Sequence, residues 1–130
     1  MTRGTVHHLE IWLPDEAATH SWIWLLTELG YVCTSRWPEG SSWSLGATYL
    51  VLEHGPDVIG ARAERRQPGL NHLAFDGGTR AEVEALTVAA GHHGWTLMFA
   101  HRHPWAGGDE HYAAYLEDAR GFEVEIVAQG

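Results

Sequence analysis

The chain has 130 residues, a mass of 14.4 kDa, one cysteine and a formal net charge of −9 with histidines neutral. That length suits one compact domain or two small halves that share structure, and a hydrophobic fraction of 45% excludes wholesale disorder. A lone Cys33 excludes internal disulfides and polycysteine zinc sites, the acidic balance argues against nucleic acid, and no stretch approaches the roughly 20 apolar residues of a membrane span.

Met1 to Gly4 lacks the apolar core of a signal peptide, so a cytoplasmic protein with neither membrane nor nucleic-acid partner is expected. Val6 to Leu13 alternates like a strand and stops at Pro14-Asp15. From Glu16 to Leu29, Ala18, Trp22, Leu25, Leu26 and Leu29 recur at helical spacing, and Gly30 provides the stop. Tyr31 to Trp37, Ser42 to Leu45 and Ala47 to His54 are predicted strands, separated by Pro38-Glu39-Gly40 and by Gly46. Gly55 to Gly69 is a polar connector carrying Arg62, Glu64, Arg65 and Arg66. Beyond it Leu70 to Asp76 is predicted as a strand, Thr79 to Gly91 as a helix and Trp95 to His101 as a strand. His103 to Glu110 is a Pro/Gly loop, and His111 to Glu117 and Phe122 to Ala128 close the chain as strands.

The second half repeats the first. His8-Leu9-Glu10-Ile11 matches His72-Leu73-Ala74-Phe75, and each histidine is followed 22 positions later by a glycine, Gly30 or Gly94, and then an aromatic residue, Tyr31 or Trp95. Two βαβββ modules follow, about 5–66 and 67–130.

Alternation along a strand assigns the faces. Leu9, Ile11 and Leu13 suit the helix side of the first strand, leaving His8, Glu10 and Trp12 opposite. Leu73 and Phe75 do the same for His72, Ala74 and Asp76, as Val124, Ile126 and Ala128 do for Glu123, Glu125 and Val127. Pseudo-symmetry then places His8 and His72 on matching strands facing a helix-free concave surface, with Glu125 able to join them. Two neutral imidazoles and one carboxylate are a ligand set for a divalent first-row metal with open positions for substrate.

The sequence resembles the vicinal oxygen chelate superfamily, which includes glyoxalase I, fosfomycin-resistance enzymes, extradiol dioxygenases and bleomycin-resistance proteins. The resemblance rests on Val6-His7-His8-Leu9-Glu10-Ile11 leading to Asp15 and on Leu29-Gly30-Tyr31. It continues through Gly69-Leu70-Asn71-His72-Leu73-Ala74-Phe75 and the terminal segment from Tyr115 to Ile126. The family's Asp-Pro-x-Gly turn precedes a metal-binding glutamate by four residues, which from Gly121 falls on Glu125; Ala119 stands where the proline is expected. The resemblance implies one glyoxalase-like domain over 1–130 of the α+β class. Its paired βαβββ modules would form a curved mixed sheet with a metal-binding cleft and helices on the outer face. The implied metal ligands are His8, His72 and Glu125, and the implied cofactor is a divalent ion of iron, manganese, nickel, cobalt or zinc.

Glyoxalase-like members take a fourth ligand from the last strand of the first module. Leu50 and Leu52 suit the helix side, so Glu53 is the candidate fourth ligand or general base; a register slip would exchange it for His54. Trp37 and Trp43 flank a turn, Arg102 lies in a donor-rich loop able to hold an anionic oxygen, and His111 and Tyr112 precede the ligand strand; these five are the candidate substrate-binding residues. Trp22 is assigned to the core and Trp24 to the surface or a dimer contact, and a homodimer is expected. The leading expectation is a metal-dependent lyase or isomerase whose small substrate chelates through adjacent oxygens. The alternatives are a compact iron-dependent extradiol-type dioxygenase, with His111 or Tyr112 as acid/base, and a non-catalytic drug-binding resistance protein.

Overall fold

Each half of the chain folds as strand, helix and three further strands. The computed structural model describes residues 3–130 and divides into two units, Met1–Ala61 and Arg62–Gly130. The first contains β1 (His8–Trp12), α1 (Thr19–Glu28), β2 (Val32–Trp37), β3 (Gly40–Leu45) and β4 (Thr48–Glu53). The second contains β5 (Leu73–Asp76), α2 (Arg80–Ala90), β6 (Trp95–Leu97), β7 (Ala113–Asp118) and β8 (Glu123–Val127). The sheets have the same order, β1-β4-β3-β2 and β5-β8-β7-β6, with the first pair parallel and the others antiparallel. This is an α+β arrangement of two four-stranded mixed sheets and two helices. No helix among the described residues is long and apolar enough to cross a membrane.

In the first unit the register sets Leu9 against Leu50, Ile11 against Leu52, and Trp43 of β3 against Leu50. Partners directly opposite share a face, so these residues form one apolar surface. Ile11, Trp43, Leu50 and Leu52 are buried, as are Trp22, Leu25 and Leu26 of α1. Trp24 is half-buried. α1 starts at Thr19 rather than Glu16 because a turn comes first: Asp15 Oδ1 accepts the Ala18 N–H and the Glu16 carbonyl accepts that of Thr19. β2 is a largely exposed edge strand with a register shift between Cys33 and Ser35, and such bulges disfavour pairing with another edge.

In the second unit Leu73, Phe75, Val124, Ile126, Ala114 and Leu116 share the face that meets α2, where Gly77 leaves Val83 and Ile126 in close approach. Thr79 and Glu82 form a complete capping box at the start of α2. The β7–β8 turn holds without proline at Ala119: Asp118 Oδ1 accepts the N–H groups of both Arg120 and Phe122 at 2.9 Å. Gly121 has φ 88°, and a Cβ there would overlap the Ala63 carbonyl. β6 ends at Leu97, four residues short of the predicted strand, because the chain turns at Phe99, which has φ 54°.

Candidate functional site

The face of the second sheet turned away from α2 carries the titratable groups. Ala74, Tyr115 and Glu125 lie side by side across β5, β7 and β8, with Glu117 opposite Glu123 in the next row. Glu123 and Glu125 are both buried. Just ahead of β5, His72 turns its ring onto this face, with Nε2 at 2.9 Å from Glu125 Oε1 and Nδ1 at 3.8 Å from Glu123 Oε2. His111 Nε2 contacts the other oxygen of Glu125.

The hydrogen bonds around His72 determine its tautomer. Asn71 Nδ2 donates to the Arg65 carbonyl at 2.9 Å, which fixes the amide so that Oδ1 faces His72 Nδ1 at 2.6 Å. Nδ1 therefore carries its proton toward Asn71. Nε2 in turn faces a carboxylate, a second acceptor. Two such acceptors stay 2.9 Å apart with a shared proton or a cation between them. A ligating histidine typically donates its other N–H to an oxygen in this way.

Electrostatics separate the two carboxylates. Burial works to raise the Glu125 pKa, but the hydrogen bonds to His111 and His72, with the attraction of their rings, outweigh it and hold the carboxyl below its usual range. Burial raises Glu123, and the attraction of His72 and Arg65 only partly offsets this. Glu123 Oε1 lies 3.3 Å from Arg65 Nε yet has no hydrogen-bond partner among the described residues. Tyr115 is raised by burial first, then by the charge of Glu125, its hydrogen bond to that carboxylate and the charge of Glu123.

His111 and Tyr112, paired in the sequence as substrate-binding candidates, part company. His111 reaches Glu125, whereas the Tyr112 hydroxyl donates to Glu84 of α2 at 2.7 Å. Tyr112 is thereby removed from the His72–Glu125 face, because adjacent side chains of an extended segment point opposite ways. Arg102 is exposed, with its guanidinium 5.5 Å from the Phe99 ring. Several contributors carried no such role in the sequence reading. Asn71 orients His72, Arg65 reaches Glu123 from the connector, and Phe99 packs edge-on against Tyr115. Gly107 lies so close to the Tyr115 hydroxyl that a Cβ would overlap it. Only Asn71, beside a candidate ligand, carried a usable signal; the others arrive through contacts remote in sequence.

In the first unit, His8, Glu10 and Trp12 pair in register with Tyr49, Val51 and Glu53. His8 stacks on Tyr49 with centroids 4.6 Å apart, and its Nε2 is 3.8 Å from Glu10 Oε2. Glu53 therefore shares the His8 face, and its oxygens accept from Trp37 Nε1 at 3.2 Å and Gly55 N at 3.1 Å. His54 lies beyond the end of β4 and lines a groove of about 420 Å³ with Glu16, His20, Arg36 and Trp37. Trp43 corrects a sequence expectation. It is only 5% exposed, lies on the opposite face and donates its indole N–H to Ser41 at 2.8 Å, so it is a core residue rather than a ligand contact.

Among the described residues, no group of three or more His, Cys, Asp or Glu side chains is disposed to hold a metal ion. The chemistry of the second unit's donors still fits one: His72 Nε2 and the Glu125 carboxylate present adjacent nitrogen and oxygen donors, with the imidazole already held in the ligating tautomer by Asn71.

No family profile matches the chain. It is 38% identical over 125 residues to the uncharacterised protein YqjT of Bacillus subtilis (strain 168), covering 95% of this chain and 98% of that one. It is similar to the crystal structure of a candidate glyoxalase from Bacillus halodurans, with 40% identity and a TM-score of 0.90 over 98% and 97% of the two chains. A glyoxalase/bleomycin resistance protein from Albidiferax ferrireducens T118 shares the fold at 17% identity and a TM-score of 0.74, covering 98% of this chain and all of that one.

Proposed function

This chain belongs to the glyoxalase/bleomycin resistance/dioxygenase family of the vicinal oxygen chelate superfamily, and from that membership we propose that it is a divalent-metal-dependent enzyme of the lyase or isomerase type. Its substrate would be a small molecule that chelates the metal through adjacent oxygens. The observation that carries the reading is His72. Its Nδ1 proton is committed to Asn71, and its Nε2 faces the buried Glu125 carboxylate, where two acceptors stay together only with a proton or cation between them.

When bound, the ion supplies Lewis-acid polarisation of the substrate oxygens. His72 and Glu125 would hold it, and Asn71 would keep the imidazole oriented. His111 contacts the second oxygen of Glu125 from a more exposed position, which supports a proposed role for it as a proton carrier. Glu53 is the second proposed proton carrier, its carboxylate oriented by the N–H groups of Trp37 and Gly55.

Mass-spectrometric metal content of the untagged protein tests the proposal, beside His72→Ala, Glu125→Ala and His8→Ala. Near-stoichiometric metal in the parent, lost in His72→Ala and Glu125→Ala, is the expected result. The His8 variant tests the further ligand that the family resemblance assigns. Nickel, zinc, cobalt or manganese fits the lyase or isomerase type, and iron with oxygen consumption would replace it with the dioxygenase type. Protein that stays metal-free after incubation with each ion overturns the enzyme reading in favour of a binding protein.

A further inference from the structure

The loop between β6 and β7 contains a residue that metal binding does not explain. Phe99, with φ 54°, is the one non-glycine residue with positive φ among the described residues. Bulky side chains rarely adopt that conformation, and it persists where the surrounding contacts hold it. Here it sets the Phe99 ring edge-on to Tyr115, with centroids 5.8 Å apart, and the Tyr115 ring is 5.9 Å from that of His72. Two guanidinium groups lie at the Phe99 ring, Arg102 at 5.5 Å and Arg65 at 6.0 Å. An aromatic and cationic strip therefore runs from the exposed loop to the His72–Glu125 pair.

The two arginines differ in what they have left to offer. Arg65 is paired with the buried Glu123 carboxylate. Arg102 is exposed and makes no ion pair among the described residues, so its donor fork is available. A guanidinium lying over an aromatic ring is oriented by it and keeps its N–H edge free, and that fork can take both oxygens of a planar carboxylate.

We propose that Arg102 and Phe99 form a subsite for the carboxylate of a planar organic acid, which makes the substrate class anionic. The substrate assignment rests on the proposed function. The subsite itself requires no metal, so the two can be tested apart.

The probes are benzoate and its uncharged counterpart benzyl alcohol, titrated calorimetrically into chelator-treated protein. The parent, Arg102→Lys, Arg102→Gln and Phe99→Leu are compared, with thermal midpoints recorded for each. Benzoate should bind the parent, bind Arg102→Gln about ten-fold or more weakly, and recover in part with Arg102→Lys, as loss of a charge-assisted bidentate contact requires. Phe99→Leu should also weaken benzoate, and benzyl alcohol should be weak throughout. Equal benzoate affinity for the parent and Arg102→Gln, or no benzoate binding by the parent, overturns the subsite. A parent that takes up no metal but loses benzoate on Arg102→Gln keeps the subsite and removes the metal reading. Full metal uptake with benzoate indifferent to Arg102→Gln does the reverse.

Discussion

His111 and Tyr112 are neighbours in sequence whose side chains end on carboxylates of different elements: His111 Nε2 on Glu125 of β8, and the Tyr112 hydroxyl on Glu84 of α2. Glu84 also takes His103 Nε2 at 2.9 and 3.0 Å on its two oxygens. The segment leading into β7 is thereby tied to the helix by Tyr112 and His103, and that anchorage fixes where His111 emerges beside Glu125. Arg80 lies over the Tyr112 ring at 4.8 Å and closes the cluster.

The Glu84 cluster should make stability depend on pH in a defined sense. Burial works to raise its carboxyl, but hydrogen bonds from His103 and Tyr112 and the attraction of the His103 ring hold it below its usual 4.5. A folded pKa below the unfolded one contributes stability that is present above the unfolded value and lost as pH falls through the folded value. The urea midpoint of the parent should therefore exceed that of Glu84→Gln at pH 6, and the gap should close on acidification below about 4.5. Tyr112→Phe should lower the midpoint at pH 6. A gap that widens in acid would contradict this account.

Asn71→Ala removes the acceptor that commits the His72 proton to Nδ1. If His72 ligates a metal as proposed, affinity for an added divalent ion, measured by competition with a chromogenic chelator, should fall about 10–100-fold, the effect of losing an outer partner of a ligating histidine. Asn71→Asp keeps an acceptor for Nδ1 but loses the donor that the Arg65 carbonyl takes, and should retain more affinity than Asn71→Ala but less than the parent. Unchanged binding in Asn71→Ala would mean that the tautomer is held in some other way.

Gly107→Ala tests close approach. Its Cβ would overlap the Tyr115 hydroxyl and stand 2.7 Å from His111 Cδ2. Overpacking of this kind costs about 1–3 kcal/mol in a rigid core and less where an exposed loop can yield. The expected outcome is a small drop in thermal midpoint with clear shifts of the Tyr115 and His111 NMR signals. Unmoved signals would show that the loop accommodates the methyl elsewhere.

Trp43→Ala distinguishes the buried position of this residue from the ligand contact that the sequence suggested. Removing a buried indole typically costs about 3–5 kcal/mol. Chemical denaturation should register a loss of that order, and Trp43→Phe should recover much of it. Full stability with impaired ligand binding would return Trp43 to the site.

What the sequence determined by itself is what local sterics dictate. Period-two alternation separated Leu73 and Phe75 from His72, and Val124 and Ile126 from Glu125, because successive side chains of a strand must point to opposite faces. The spacing of His8 and His72 from their glycines exposed the repeat, and both units have the same strand order. His111 and Tyr112, taken together as candidates from the sequence, were separated only by their contacts with Glu125 and Glu84. Other features have no local signature. Trp43 joined the core through the β3–β4 register, which sets it against Leu50 rather than Tyr49. β6 stopped at Leu97, ahead of the turn at Phe99, whose positive φ goes with packing against Tyr115 and two arginines. Arg65 reached Glu123, 58 positions further along the chain, beyond any periodic pattern. Periodicity is a property of neighbouring residues, whereas which carboxylate meets which imidazole, and which side of a ring an arginine takes, is decided only when distant segments pack together.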